Sequence, residues 1–388
     1  MRSVEAFRYL QSEVTEWRRY LHRNPELGYE LHNTARFVAE KLASFGINHI
    51  ETNIAETGIV ALIQGEGGYG PTIGLRADMD ALPILETSNK PWSSESSGNM
   101  HGCGHDGHTA MLLGAAKYLA STRKFKGTVA LIFQPAEEVL PSGALRMIQE
   151  GVLERFGISQ VFGMHNTPGI EIGKFGIRHG PILGSLDEFD LIVTGRGGHA
   201  AKPNEAIDPI VIAAQVIVGL QTLISRRTNP MEALVISITK LNAGTAYNII
   251  PESAELAGTV RTYSSNLRDF AERQILELAR GVARGFGGDA ELKYRRDCPV
   301  TFNDTASTDQ AINAARGLVG HAAVNDKMAP RMGSEDFAYM LDARPGAMMY
   351  IGNGSTAPLH NPSYDFDDEA LCFGIGYWVN LVETTLAA

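Results

Sequence analysis

The chain has 388 residues, 44% hydrophobic and 20% charged, ordinary proportions for a folded protein with room for two or three domains. Thirty-four Lys and Arg against 44 Asp and Glu give a formal net charge of −10, which speaks against a general binder of nucleic acid or of an anionic membrane. Three cysteines, Cys103, Cys298 and Cys372, make no disulfide framework, so a reducing, cytoplasmic setting is expected.

Residues 4–22 carry Val4, Phe7, Val14, Trp17 and Leu21 at helical spacing, and charges interrupt the apolar stretch that a signal peptide would need. A second helix is expected over 33–45, with Gly46 as its stop. Strands are expected at 59–64, 72–76, 128–133 and 160–164, with a helix over 108–120 among them. This alternation predicts an α/β fold, a mixed and mostly parallel sheet with flanking helices. GEGGYG at 65–70 matches a dinucleotide pattern, but Pro71 and another strand follow it, so it reads as a turn.

Near residue 183 the pattern changes. Strands at 188–194, 234–241, 254–262 and 290–295 and helices at 209–225 and 267–283 follow the order strand, helix, strand, strand, helix, strand. That is the ferredoxin-like α+β arrangement. The apolar run 207–224 is broken by Asp208, Gln215 and Gln221 and reads as a buried amphipathic helix, not a membrane span. After Pro299, a strand at 348–351 and a closing helix at 369–385 return to the first domain. The expected organisation is one discontinuous α/β domain, 1–182 and 299–388, with a smaller domain, 183–298, inserted into it.

The segment HGCGHDGH, 101–108, concentrates His101, Cys103, His105 and His108. Thiolate plus imidazole is a strong ligand pair for transition metals, and Gly102 and Gly104 allow tight backbone turns between them. QPAEE, 134–138, places Glu137 beside Glu138 directly after a strand, so one carboxylate can bind an ion while the other serves as a base. Asp78 and Asp80, His165 and His360 also follow strands. In open α/β sheets, sites form beyond the carboxyl ends of strands. Asp78, Cys103, His105, Glu138, His165 and His360 are therefore expected at one sheet edge, around two ions. In the inserted domain, His199 in GRGGHAAKP suits a hydrogen-bond donor to an oxyanion. Asn248 is a further substrate-binding candidate, and Arg261 suits a substrate carboxylate.

RADMDALP at 76–83, HGCGHDGH, QPAEE, GMHN at 163–166, GGHAAKP at 197–203 and LHNP at 359–362 together resemble the metal-dependent N-acyl-amino-acid amidohydrolases, the hippurate and auxin-conjugate hydrolase group. The resemblance spans nearly the whole chain. It implies a catalytic domain, 1–182 and 299–388, that holds two divalent ions, an inserted lid, 183–298, and hydrolysis of the amide of a small N-acyl amino acid; the mixed sulfur, nitrogen and oxygen ligand set suits Zn, Mn, Ni or Co. It implies Cys103 as the bridging ligand, with His105, Glu138, His165 and His360 completing the set. Glu137 would be the general base, His199 the lid histidine at the substrate carbonyl, and Asp78 the aspartate that steadies the site. A homodimer or homotetramer formed through the lid is also implied. Arg76 stands where the wider peptidase superfamily has a ligand histidine, and Cys103 where it has a bridging aspartate. A dipeptidase on the same scaffold and a non-catalytic, two-lobed metal-binding protein are the alternatives.

Overall fold

Four aliphatic runs, Thr128–Gln134, Thr72–Asp78, Ile158–Thr167 and Gly346–Gly352, lie side by side in that order as parallel strands in the computed structural model, which describes residues 1–387. Their side chains are buried along almost their whole length, which is why they read as continuous apolar runs rather than alternating ones. On one side Gly58–Gln64 and then His49–Ile54 extend the sheet in antiparallel pairs; on the other Phe175–Gly176 joins Gly346–Gly352 antiparallel, and Val324–Asn325 pairs parallel with Phe175–Gly176. The sheet is mixed and mostly parallel at its centre. The 65–70 segment is the turn between Gly58–Gln64 and Thr72–Asp78.

Helix His105–Thr122 is buried along nearly every residue. It packs against strand Thr72–Asp78 and between helices Gln11–Arg23 and Leu371–Thr385. A helix apolar on all sides needs such cover. It begins three residues earlier than expected from the apolar pattern, which places His105 and His108 one turn apart on the same helix.

The chain divides into two units. The larger joins Met1–Ile182 to Phe302–Ala329 and to the chain from Asp336 onward; the smaller comprises Leu183–Thr301 and Pro330–Glu335. Relative to the expected 183–298, the smaller unit also takes residues 299–301 and the short return 330–335.

The smaller unit is a four-stranded antiparallel sheet in the order Leu234–Ala243, Ser253–Thr262, Leu186–Thr194, Asp289–Cys298. Helices Pro209–Arg227 and Ser265–Gly285 bury Val216, Leu220, Ala271 and Ile275 against Phe189, Leu191 and Leu256 of that sheet. This is the ferredoxin-like order. Asp208 and Ser264 cap the two helices, accepting the N–H of Ile210 and of Leu267. Helix Pro209–Arg227 is long and apolar enough to cross a membrane by composition, yet its Ile212, Val216 and Leu223 are fully covered by the lid core. Ile210, Val211 and Val218 remain exposed on it.

Candidate metal centre

Sheet register aligns the parts. Asp78 sits opposite Gln134 at the ends of adjacent strands, and Arg76 sits opposite Gly163, two residues before His165. His165 in turn pairs with Tyr350. Asp78, the loop carrying Glu137 and Glu138, and His165 therefore emerge at one edge. Cys103 and His105 reach it from the start of helix His105–Thr122. His360 reaches it from the loop after Gly346–Gly352.

Two groups of donor atoms share one sulfur. Cys103, His105 and His165 each contribute an atom within 4.8 Å of the others, and so do Cys103, Glu138 and His360. Cys103 Sγ is 3.4 Å from His165 Nε2, and Glu138 Oε1 is 3.2 Å from His360 Nε2. A carboxylate oxygen of Glu137 lies within 4.8 Å of the donor atoms of His105 and Glu138. The five expected ligands and Glu137 are thus brought together.

Hydrogen bonds set the histidine tautomers. His105 Nδ1 is 2.8 Å from the Asp80 carbonyl oxygen, which can only accept, so the proton is on Nδ1. Nε2 is buried and makes no hydrogen bond. His165 Nδ1 donates to the Asn166 carbonyl at 2.5 Å, leaving Nε2 facing the sulfur. His105 Nε2 lies 3.6 Å from Asp78 Oδ2, and although burial opposes the charged ring, Asp78 and Cys103 hold it well above its ordinary value, so Nε2 is a position that a proton or a metal cation fills. This donor set, thiol, imidazole and carboxylate, fits a pair of borderline divalent cations.

His108 does a different task. Its Nε2 accepts the Asn166 backbone N–H at 3.0 Å, so its Nδ1–H donates to Asp78 Oδ1 at 2.6 Å. Both ring nitrogens are engaged, and His108 orients Asp78 instead of joining the ligands. Arg76 Nη1 donates to Asp78 Oδ2 at 2.7 Å, Nε to Gln134 at 2.8 Å and Nη2 to Asp336 at 2.8 Å. The guanidinium therefore stands behind Asp78 as a fixed positive charge. Both Asp78 oxygens are engaged, one by His108 and one by Arg76.

Charge follows the geometry. Burial opposes ionisation of Asp78, yet His105, Arg76 and His108 hold its carboxyl well below the usual carboxylate range. Burial, with the His108 ring beside it, holds His165 well below its ordinary value, so it presents a neutral imidazole. Burial pushes the Cys103 thiol up, against the pull of His105; an adjacent cation favours the thiolate. Hydrogen bonds to Cys103 and Glu138 push His360 up to about 10. The edge concentrates negative charge that either protons or metal cations can balance.

The model of peptidase family M20/M25/M40 matches residues 74–384. The chain belongs to this family. It is 41% identical to the hippurate hydrolase of Campylobacter jejuni over 374 residues, 96% of each chain. It is 39% identical to an N-acetylcysteine deacetylase of Bacillus subtilis over 376 residues, 97% of each chain. Among solved structures it resembles the Bacillus subtilis YXEP protein, described as a dinuclear metal-binding M20 peptidase, with a TM-score of 0.86 and 37% identity over 98% of this chain and 99% of that one.

Within this M20 chain, the lid candidates separate. His199 lies exposed on a two-residue strand, Gly198–His199, paired with Ile249–Ile250, and shares an open concavity of about 350 Å³ with Asn248. His199 Nδ1 accepts the Ala201 N–H at 3.1 Å, so Nε2 is the protonated, outward donor in the neutral ring. Arg261 is half-buried on strand Ser253–Thr262 and donates to Ser334 at 3.2 Å. Asn248 precedes that strand and Arg261 nearly ends it, eight residues past Ser253, about 26 Å at strand rise.

Asp80, Asn166 and His108 are positioning groups that residue type and spacing do not mark as such. Asp80 accepts the Glu137 N–H on Oδ1 and the Glu138 N–H on Oδ2, both at 3.0 Å. Asn166 Nδ2 donates to the Cys103 carbonyl at 2.7 Å. The repeated DxD of RADMD and the Asn after His165 were the only signals available.

Proposed function

We propose that this M20 chain hydrolyses the amide bond of N-acyl amino acids, releasing a carboxylic acid and the amino acid. It is a metal-dependent amidohydrolase. The observation that carries the reading is the pair of donor triads sharing Cys103, with Glu137 beside them and outside both.

Cys103, His105 and His165 would hold one cation, and Cys103, Glu138 and His360 the other. When bound, the pair supplies positive charge that acidifies a water and polarises the amide carbonyl. Glu137 takes the proton of the attacking water and returns it to the departing amine nitrogen, a transfer worth about 10²- to 10⁴-fold in rate. Asp78, clamped by Arg76 and His108, keeps a fixed negative charge behind His105 without titrating. His199 offers its Nε2–H to the carbonyl oxygen as charge develops there. Arg261 pairs with the substrate carboxylate.

Asn248 and Arg261 lie too far apart in one lid to touch a single small substrate together. A second copy of the chain, joined through the lid, supplies the missing end. The exposed Ile210, Val211 and Val218 of helix Pro209–Arg227 provide apolar surface for such a contact. Buried, unbridged Cys103, Cys298 and Cys372 suit a reducing cytoplasm.

The test is turnover by the full chain reconstituted in turn with Zn, Mn, Ni and Co. Hippurate, N-acetylcysteine and an indoleacetyl amino acid are compared with a dipeptide bearing a free amine. Hydrolysis of an N-acyl substrate, abolished by a chelator, supports the reading. Preference for the free dipeptide, or no turnover of any N-acyl compound, overturns it.

A further inference from the structure

Asp80 is 1% exposed, and every contact it makes serves the centre. Its two carboxylate oxygens accept consecutive backbone N–H groups, Oδ1 from Glu137 and Oδ2 from Glu138, each at 3.0 Å. Its carbonyl oxygen accepts the His105 Nδ1 proton at 2.8 Å, and Oδ1 lies 3.5 Å from the same nitrogen. Among the described residues, no Lys or Arg side chain contacts it. Burying a carboxylate is electrostatically unfavourable without compensating partners. Two aligned N–H donors offset part of that cost.

The loop explains why an anion is needed. Ala136, between the strand end and the acidic pair, has a left-handed backbone with φ of 56°, a conformation uncommon outside glycine and of positive energy. It turns the N–H groups of Glu137 and Glu138 inward together. With both N–H vectors fixed on one carboxylate, the two side chains are directed by a rigid backbone. Asp80 itself fixes the His105 ring through its carbonyl oxygen, which holds the proton on Nδ1.

We propose that Asp80 is the positioning residue of the centre: it aims Glu137 and Glu138 through their backbone and fixes the His105 tautomer through its own carbonyl. The inference rests on the two-cation reading given above. The side-chain role is separable from the carbonyl role, because substitution removes the carboxylate and keeps the carbonyl. Loss of the carboxylate therefore affects the triad containing Glu138 more than the triad of Cys103, His105 and His165.

The experiment is a cobalt titration of the metal-free full chain, wild type against Asp80→Asn. It is followed by thiolate-to-cobalt absorption and by calorimetry, with far-ultraviolet circular dichroism as the folding check. Asparagine keeps the shape but faces one N–H with an amide NH₂. The expected result is two cobalt ions in wild type. In Asp80→Asn the first ion binds within about threefold of wild type, and the second binds about 10- to 100-fold more weakly, the scale for groups that orient ligands. At saturating metal, kcat falls at least tenfold with KM within about twofold. A purely structural role would lower thermal stability without splitting the two affinities. Should Asp80→Asn fail to fold, Asp80→Ser, which keeps one acceptor in a smaller side chain, carries the same comparison. Two equal affinities and an unchanged kcat in the folded variant overturn this inference alone. A wild-type chain that takes up no cobalt overturns the two-cation reading and this inference with it.

Discussion

Cys103 Sγ lies 3.4 Å from His165 Nε2, and the same sulfur belongs to the donor group that contains Glu138 and His360. One thiol is therefore placed where it would serve both cations of the proposed pair. Cys103→Ala should weaken both sites together, by at least about 100-fold, above the range for groups that merely orient ligands. Metal content after dialysis against a graded chelator reads this directly. Loss of one ion with retention of the other would show that the sulfur does not bridge. Thiol oxidants applied to the metal-free chain should prevent the recovery of activity when metal is added back, and prior loading with metal should protect against that loss.

Glu137 differs from Glu138 in having no place in either triad that shares Cys103. Glu137→Gln keeps the side-chain volume and removes the base. Its metal content should equal that of wild type, while kcat falls by at least about 100-fold. Glu138→Gln should instead lose metal first. If Glu137→Gln turned over at the wild-type rate, the proton carrier would have to be another group.

A buried ion cluster beneath the centre predicts a pH dependence of stability. Burial alone would push the His22 imidazole down. Asp106, 2.8 Å from Nδ1, and Glu86, 3.3 Å from Nε2, outweigh that effect and raise it to about 9. A folded-state value above the unfolded one means that the contribution is complete below about 6.5 and is lost as pH rises through about 9. The full effect is on the order of 3 kcal/mol at 1.36 kcal/mol per unit. The melting temperature of the metal-loaded chain should fall between pH 6.5 and 9.5, and His22→Gln should flatten that slope. An identical slope in the variant would remove His22 as its cause.

Much of this was legible in the residues. Apolar runs bounded by turn residues located the strands, because both faces of the central ones are buried and leave no polar interruption. The centre was legible because Cys, His and Glu concentrated at strand ends, where parallel topology gathers side chains. What escaped was set by backbone direction. Asp80 acts on N–H groups 57 and 58 residues away, and no spacing rule marks such a contact. His108 looked like a ligand by type and proved to be Asp78's holder, because Asn166 fills its second nitrogen. The early start of helix His105–Thr122 was missed for a local reason. Gly104, expected as a tight-turn residue, is in the structure the left-handed residue from which the helix starts.

That glycine supports the last prediction. Gly104 has φ of +88°, and a Cβ there would lie 2.2 Å from Asn166 Nδ2 and 2.6 Å from the Tyr364 hydroxyl. The Tyr364 hydroxyl donates to Asn166 Oδ1 at 2.6 Å, and Asn166 in turn holds the Cys103 carbonyl and the His108 ring. Gly104→Ala should therefore act in two ways: a backbone cost of about 1 kcal/mol or more for a left-handed alanine, and displacement of Asn166 that loosens Cys103 and Asp78. Gly46 isolates the first effect, since its φ is +77° and a Cβ there meets nothing within 4 Å. Gly46→Ala should lower the melting temperature by a few degrees and leave cobalt binding unchanged, whereas Gly104→Ala should lower both stability and cobalt affinity. Equal stability losses with unchanged cobalt spectra in both variants would mean that the Asn166 contact does not tie the helix start to the ligands.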